Sequence, residues 1–399
     1  MACLPSFLIY AFIDAERYFR MDIADEFRET YNEFLLRKAD YMNLPMMGTI
    51  ELTPVCNLNC KMCYIRQNQD EVLAQGGLKS IDFWEDVIDQ AIGEGMLFCL
   101  LTGGEIFTYP GFRTLYTKMK QKGIHIVLNT NGTMLDRDTI EWLAKEPPRR
   151  LNISLYGATP ETYERLTGQR DGYKRVIQAF TLLKEYNIPF RVHGVLVPSM
   201  MDDYEKMKEI CNSFQVPMQL SYYMFPPLRK ESKEPIEQER FTPEEMAKTA
   251  LRYRKDQSGG DKKIWYDFLK AVCHDIEHPE THRHYGDTHM HCRSGVSAFW
   301  VNWKGEVSGC GVSDDDIHSL EQESFADAWK AISQYTKEIE ISKKCSTCCY
   351  LGICPVCAAG AYCETGMIDG APEYLCEFCR YYSALLKEEF AKLKEEESL

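Results

Sequence analysis

The run Thr53-Pro54-Val55-Cys56-Asn57-Leu58-Asn59-Cys60-Lys61-Met62-Cys63 constrains this chain more than any other stretch. Its three thiols stand three and then two residues apart, so they must converge in a single loop, and no fourth cysteine stands beside them. Four-iron clusters and structural zinc sites ordinarily close with four ligands. A trio leaves a four-iron cluster with one iron open, and an open iron is where chemistry can start. A zinc knuckle, or a redox pair made by Cys60 and Cys63, is the alternative use of the same residues.

The surrounding chain determines which use is sensible. With 399 residues, 45% of them hydrophobic, it is long enough for one large domain and a smaller one. Seventeen cysteines would imply disulfides in a secreted protein. The apolar start, Ala2 to Phe12, follows no Lys or Arg and precedes Asp14 and Glu16, which makes it a poor signal peptide. No apolar run reaches the roughly 20 residues of a spanning helix. The expectation is a reduced, cytoplasmic protein with metal-bound thiolates and no membrane partner. A formal charge of -14 argues against a nucleic-acid partner, because phosphates are held by clustered Lys and Arg.

Hydrophobic periodicity organises the chain. Phe27, Tyr31, Phe34 and Leu35 recur at helical spacing, so residues 1–46 read as a helical segment packed on the outside of the next domain. Residues 47–225 alternate short β-type runs with amphipathic helices. The expected strands are Thr49 to Thr53, Leu97 to Leu101, Ile124 to Asn129, Arg150 to Leu155, Phe190 to Val197 and Met218 to Tyr223. Helix faces are marked by Trp84, Val87, Ile88, Ala91 and Ile92, and by Val176, Phe180 and Leu183. Six βα units in series imply an α/β fold, a partial (β/α)6 barrel with its site at the C-terminal ends of the strands. The trio follows the first strand, where such a site belongs.

Residues 226–290 break this rhythm and read as a linker with a helical insertion, signed by a capping box at Thr242 and Glu245. Six of the nine histidines lie here or at its end, His274, His278, His282, His284, His289 and His291, and they are expected to be a solvated connector rather than a metal site. Residues 291–385 carry the remaining cysteine-rich part. Residues 386–399 read as a charged helix, with opposite charges spaced along Lys387 to Glu397.

The trio resembles the signature of the radical S-adenosylmethionine (SAM) superfamily, and the motifs that follow strengthen the resemblance. Thr102-Gly103-Gly104-Glu105 after the second strand is similar to the family's Gly-Gly-Glu motif, with Ile106 where Pro is frequent. Asn129-Thr130-Asn131-Gly132 follows the third strand, Ser154 the fourth, and Met62 stands where an apolar residue faces adenine. The resemblance implies that Cys56, Cys60 and Cys63 hold a [4Fe-4S] cluster whose open iron is chelated by SAM. Met62, Gly103, Gly104, Glu105, Asn131 and Ser154 would bind SAM, with the glycines admitting backbone close to the ligand and Glu105 meeting its ammonium. Reductive cleavage of SAM would yield a 5′-deoxyadenosyl radical, and the cofactor carries that chemistry.

The last quarter resembles the SPASM extension of peptide-modifying members of that superfamily. The resemblance implies two auxiliary [4Fe-4S] clusters, three in all: Cys292, Cys310 and Cys357 on the first, and Cys345, Cys348, Cys354 and Cys376 on the second. Cys349, Cys363 and Cys379 are free to exchange roles with these. A zinc ribbon fits poorly, since its Cys pairs stand about 15 to 20 residues apart and Cys348 and Cys354 are far closer. Fully ligated relatives often carry a further Cys where this chain has Ala298, which implies an open auxiliary iron for a substrate thiolate unless His291, Cys363 or another side chain closes it.

The activity implied is a thioether crosslink from a Cys of a ribosomally made precursor peptide, as in sactipeptide and ranthipeptide synthases, with a flavodoxin or ferredoxin as low-potential electron donor. Formylglycine formation by an anaerobic sulfatase maturase is the nearest rival. It needs an acid directly after the second auxiliary Cys, where Gly311 stands, with acids only at Asp314, Asp315 and Asp316. A small-molecule dehydrogenase and an iron-sulfur electron carrier complete the alternatives.

Overall fold

The computed structural model describes residues 31–226, 239–312 and 316–397. The apolar start at Ala2 to Phe12, the charged stretch after Pro226, and Asp314 and Asp315 lie outside the described residues. Nine strands form one sheet in the order β6-β5-β4-β3-β2-β1-β7-β8-β9. The first six are β1 (Met47–Glu51), β2 (Phe98–Thr102), β3 (His125–Thr130), β4 (Arg150–Ile153), β5 (Phe190–Val195) and β6 (Met218–Ser221). All are mutually parallel, as six βα units require, and the sheet stays open between β6 and β9.

The cysteine-rich region extends this sheet. β7 (Ala298–Val301) pairs in parallel with β1, and β8 (Glu306–Ser308) and β9 (His318–Ser319) continue antiparallel. The run Ala298-Phe299-Trp300-Val301 is too short for its periodicity to stand out, which is why the sequence reading stopped at six strands.

Side chains alternate across the sheet, as the strand period of two dictates. One face carries Ile50, Cys99, Leu101, Ile126, Leu128, Leu151 and Ile153. They share a core with Trp84, Val87 and Ile88 of the helix Ile81–Gly93, Leu115 and Tyr116 of Phe112–Gln121, and Val176, Phe180 and Leu183 of Gly172–Glu185. The other face carries Met47, Phe98, Leu100 and Val127, which pack on Leu36 and Ala39 of the helix Tyr31–Met42. That helix packs on the sheet face opposite the one that carries the main core, near the N-terminal ends of β1 and β2. It is tied down by the Trp329 indole N–H donating to the Asn43 carbonyl at 3.0 Å and by Arg293 paired with Asp40 at 3.1 Å.

The segment expected to be a linker holds two regular helices, Pro243–Gln257 and Lys262–Glu277. The first opens on the Thr242/Glu245 capping box. Both pack on the long helix Glu373–Glu397, through Tyr374 with Met246 and the Phe241 carbonyl, and through Tyr266 with Phe390. The charged stretch from Lys387 is thus the second half of a helix whose first half carries Cys376 and Cys379. Leu375, Phe378, Tyr382 and Leu386 are its buried stripe.

Candidate active site

Cys56, Cys60 and Cys63 lie in the loop that leaves the C-terminal end of β1, and every described cysteine is a free thiol. Backbone amides point at two of the sulfurs: Leu58 N–H at Cys56 Sγ (3.4 Å) and Arg66 N–H at Cys63 Sγ (3.3 Å). Such donors suit thiolates better than thiols. Burial, then the Glu105 carboxylate and Cys63, push the Cys56 thiol up to about 12. Burial and its two companions likewise raise Cys60. Cys56 and Cys60 therefore stay protonated until something cationic takes the protons' place, and coordination to iron does this outright.

The loop is held against β2 by the glycines. A Cβ on Gly103, whose φ is +137°, would sit 2.3 Å from the Thr53 carbonyl oxygen, and one on Gly104 would sit 2.4 Å from that of Val55. In their place run short backbone bonds, Gly104 N–H to Thr53 O (2.6 Å) and Glu105 N–H to Val55 O (2.9 Å). The close approach these glycines allow is thus to the cysteine loop itself, not only to a ligand.

Glu105 is wholly buried. Its carboxylate accepts the Thr130 hydroxyl (2.8 and 2.9 Å), the Asn131 N–H (2.8 Å) and the Phe107 N–H (3.3 Å), and burial raises it to about 7. Asn131 reaches the trio directly: its Nδ2 donates toward Cys56 Sγ (3.7 Å) and to Asn57 Oδ1 (2.9 Å). Its Oδ1 accepts the Thr133 hydroxyl and N–H at 2.6 and 2.9 Å, and Asn57 Nδ2 closes the ring on Thr133 Oγ1 at 2.8 Å. Ser154 is half-buried at the end of β4 and bonds the Tyr156 hydroxyl, which also bonds Cys60. Met62 is half-buried against the main core.

Two parts of this wall escaped the sequence reading. Tyr156 was hidden because one aromatic after a strand has many uses. The second part is a polar ladder at one level of the sheet. Asn129 Nδ2 donates to Thr102 (3.4 Å), Asn152 Nδ2 to Asn129 (2.7 Å), and Arg191 and Arg150 to Asn152 Oδ1 (2.8 and 3.2 Å). A polar residue recurring in apolar strands that pair in register was the signal available.

The C-terminal cysteines fall into two neighbourhoods. Cys345, Cys348, Cys354 and Cys376 act on one another electrostatically, and Cys379 joins them through a hydrogen bond with Cys354. Elsewhere, Gly309, beside Cys310, packs on Gly295 in the turn that follows Cys292. Cys357 caps the helix Ala358–Thr365, and Cys363 on that helix donates to the carbonyl of Val312 at 3.8 Å. Ala298 packs instead with the apolar base of the barrel. Cys363 thus shares a helix with its cap Cys357 and reaches the segment that follows Cys310, and His291 is turned toward Asp287.

Residues 50–211 match the radical SAM superfamily. This part of the chain is a radical SAM domain. Among curated relatives, the AdoMet-dependent heme synthase of Methanosarcina barkeri is 24% identical over 81% of this chain and 94% of its own. The sporulation killing factor maturation protein SkfB of Bacillus subtilis is 25% identical over 76% of this chain and 71% of its own. The solved structure of Streptococcus suis SuiB bound to precursor peptide SuiA superposes with a TM-score of 0.63 at 17% identity, covering 86% of this chain and 78% of that one. The radical SAM domain implies SAM and a four-iron cluster, and the donor set fits both. Two of the three free thiols receive backbone N–H groups, and beside them stands a buried carboxylate whose partners are all neutral, which favours a cationic ligand nearby. No helix of the described residues is long and apolar enough to cross a membrane.

Proposed function

We propose that this radical SAM enzyme modifies a ribosomally made precursor peptide, joining the sulfur of a substrate Cys to a carbon of the same peptide as a thioether. The observation that carries the reading is the docking of the second set of thiols on the mouth of the barrel. Just beyond the end of β6, Tyr223 lies close to Cys357, and its hydroxyl bonds Glu364 of the helix Ala358–Thr365 at 2.8 Å. Phe225 packs where a Cβ of Gly360 would stand. A thiol held at these cysteines would face the end of the sheet at which Cys56, Cys60 and Cys63 gather. SkfB is by its name a maturation protein, and SuiB was solved with a precursor peptide, which agrees with a peptide substrate.

In this reading Cys56, Cys60 and Cys63 hold the cluster that binds SAM, which supplies a carbon-centred radical initiator when loaded and reduced by a low-potential donor of the flavodoxin or ferredoxin kind. Asn131 donates to the Cys56 sulfur, and Ser154 and Met62 line the SAM pocket. Gly103 and Gly104 seat the cysteine loop, and Glu105 acts as a positioning residue through Thr130 and Asn131. Cys292, Cys310 and Cys357, with Cys363 as an available fourth thiol, hold a first auxiliary cluster. Cys345, Cys348, Cys354 and Cys376 hold the second, with Cys379 as a fifth thiol within reach.

A second reading has one specific observation in its favour: the heme synthase relative matches along most of its length, and its name implies a small-molecule product. One experiment separates the two. The anaerobically reconstituted, reduced protein is given SAM with and without Cys-containing peptides encoded near its gene, and 5′-deoxyadenosine and peptide mass are followed. The maturase reading expects one peptide to stimulate SAM cleavage and to lose two hydrogens and a free thiol. SAM cleavage indifferent to every peptide overturns it in favour of a small substrate.

A further inference from the structure

The histidines expected to be a solvated connector include a group that the fold draws together. His282, His284, His289 and His291 fall within ten residues, and backbone hydrogen bonds fix the loop they occupy. Gly286, at φ +78°, makes the turn and donates its N–H to the Ser346 carbonyl at 2.9 Å. Ile341 donates to Thr288 at 2.7 Å, and His289 bridges Glu340 in antiparallel fashion. So fixed, the loop aims three side chains at one point. The ligating atoms of His284, Asp287 and His291 all lie within 4.8 Å of one another, the only such group among the described residues.

We propose that His284, Asp287 and His291 form a binding site for one divalent transition metal of the zinc class, separate from the thiol clusters. The donor set is two imidazoles and a carboxylate with no sulfur, which suits Zn2+, Co2+ or Ni2+ over Cu(I) or an iron-sulfur centre. The carboxylate is already oriented. Asp287 Oδ1 accepts the His289 N–H and lies 2.9 Å from His289 Nδ1, while Oδ2 stands 2.9 Å from His291 Nε2. An outer partner of this kind ordinarily fixes a metal ligand. The His284 ring stacks on that of His291 with centroids 3.6 Å apart, which brings the second imidazole to the same place. His291 is exposed, so a metal and its waters have an open approach.

The placement gives the site a use. His291 immediately precedes Cys292, and Ser346, which receives the Gly286 N–H, immediately follows Cys345. A metal at this point clips the loop leading into the first auxiliary set of cysteines, whose backbone already meets the start of the second. The clip fixes the spacing of the two sets.

The test uses the cluster-reconstituted full chain, cleared of loose metal with a mild chelator and dialysed against Zn2+. Zinc and iron per chain are then measured, together with zinc K-edge absorption. The expected result is one retained zinc with nitrogen and oxygen neighbours at about 2.0–2.1 Å. His284→Ala and Asp287→Asn should each lose that zinc while iron is unchanged, and Cys349→Ser, which removes an exposed thiol, should keep it. No retained zinc, a sulfur shell at about 2.3 Å, or undiminished zinc in both variants would overturn the proposal. Should a variant also lose iron, the wild-type absorption spectrum decides alone.

Discussion

Asn131 is the side chain on which the trio's environment turns, because it joins the Glu105 anchor to the Cys56 sulfur. Asn131→Ala deletes the donor to sulfur and frees Asn57 and Thr133, while leaving all three thiols in place. Partners one step removed from a metal typically change affinity or activity by about 10–100-fold. The expected outcome is wild-type iron content, a shifted midpoint potential in an EPR-monitored redox titration, and 5′-deoxyadenosine formation slowed by at least about 10-fold. Gly104→Ala should behave differently. Its methyl would stand 2.4 Å from the Val55 carbonyl, so the loop must move and iron itself should be lost from the trio. A Gly104→Ala protein with full iron and merely weakened SAM binding would show that the glycine serves the ligand and not the loop.

The helix Tyr31–Met42 and the strand β5 carry testable consequences of their own. Leu36 is buried at the foot of the barrel, and Leu36→Ala should cost about 2–5 kcal/mol, read as a lowered urea midpoint. His193 on β5 is buried beside Arg191 and Arg150; burial first, then these two cations, lower its pKa from 6.5 to about 3. Between these values the unfolded chain binds the proton and the folded one does not. Its contribution to stability is therefore fully present above pH 6.5 and is lost as pH falls toward 3. Between pH 6.5 and 5 the holoprotein should lose up to about 1.4 kcal/mol per unit more than His193→Gln. Equal slopes in the two proteins would mean that His193 is already charged when folded. The strands themselves were legible in the sequence to within two residues, because apolar runs between turn signals have few other readings. The sheet face on which the helix Tyr31–Met42 packs, and the strand β7, were not. A helical period shows that a face is buried but not against what, and four residues of β7 are too few to show a period.

Across the molecule, the order of motifs along the chain announced the site, whereas the joint between its two halves is written in residues that look ordinary in sequence. Arg240, Glu364, Tyr223 and Tyr374 form that joint. Arg240 pairs with Glu364 and lies over the Tyr374 ring at 3.6 Å, and the Tyr223 hydroxyl bonds the same Glu364 oxygen at 2.8 Å. Both charged side chains are largely buried, at 17% and 8% exposed, so removing one leaves the other uncompensated. Such a loss costs about 3–5 kcal/mol where burial is complete and less here. The strain falls on the helix Ala358–Thr365, whose cap is Cys357 and whose sixth residue is Cys363. Glu364→Gln should therefore act at a distance from the trio. Iron at Cys357 and its neighbours should fall while Cys56, Cys60 and Cys63 keep theirs, so that SAM is still cleaved but becomes uncoupled from peptide crosslinking. Iron counts on Glu364→Gln, alone and combined with Ala replacements of the trio, separate the two losses. If iron fell equally at both ends, the chain would be one cooperative unit, and the joint would hold up the barrel as much as the domain docked upon it.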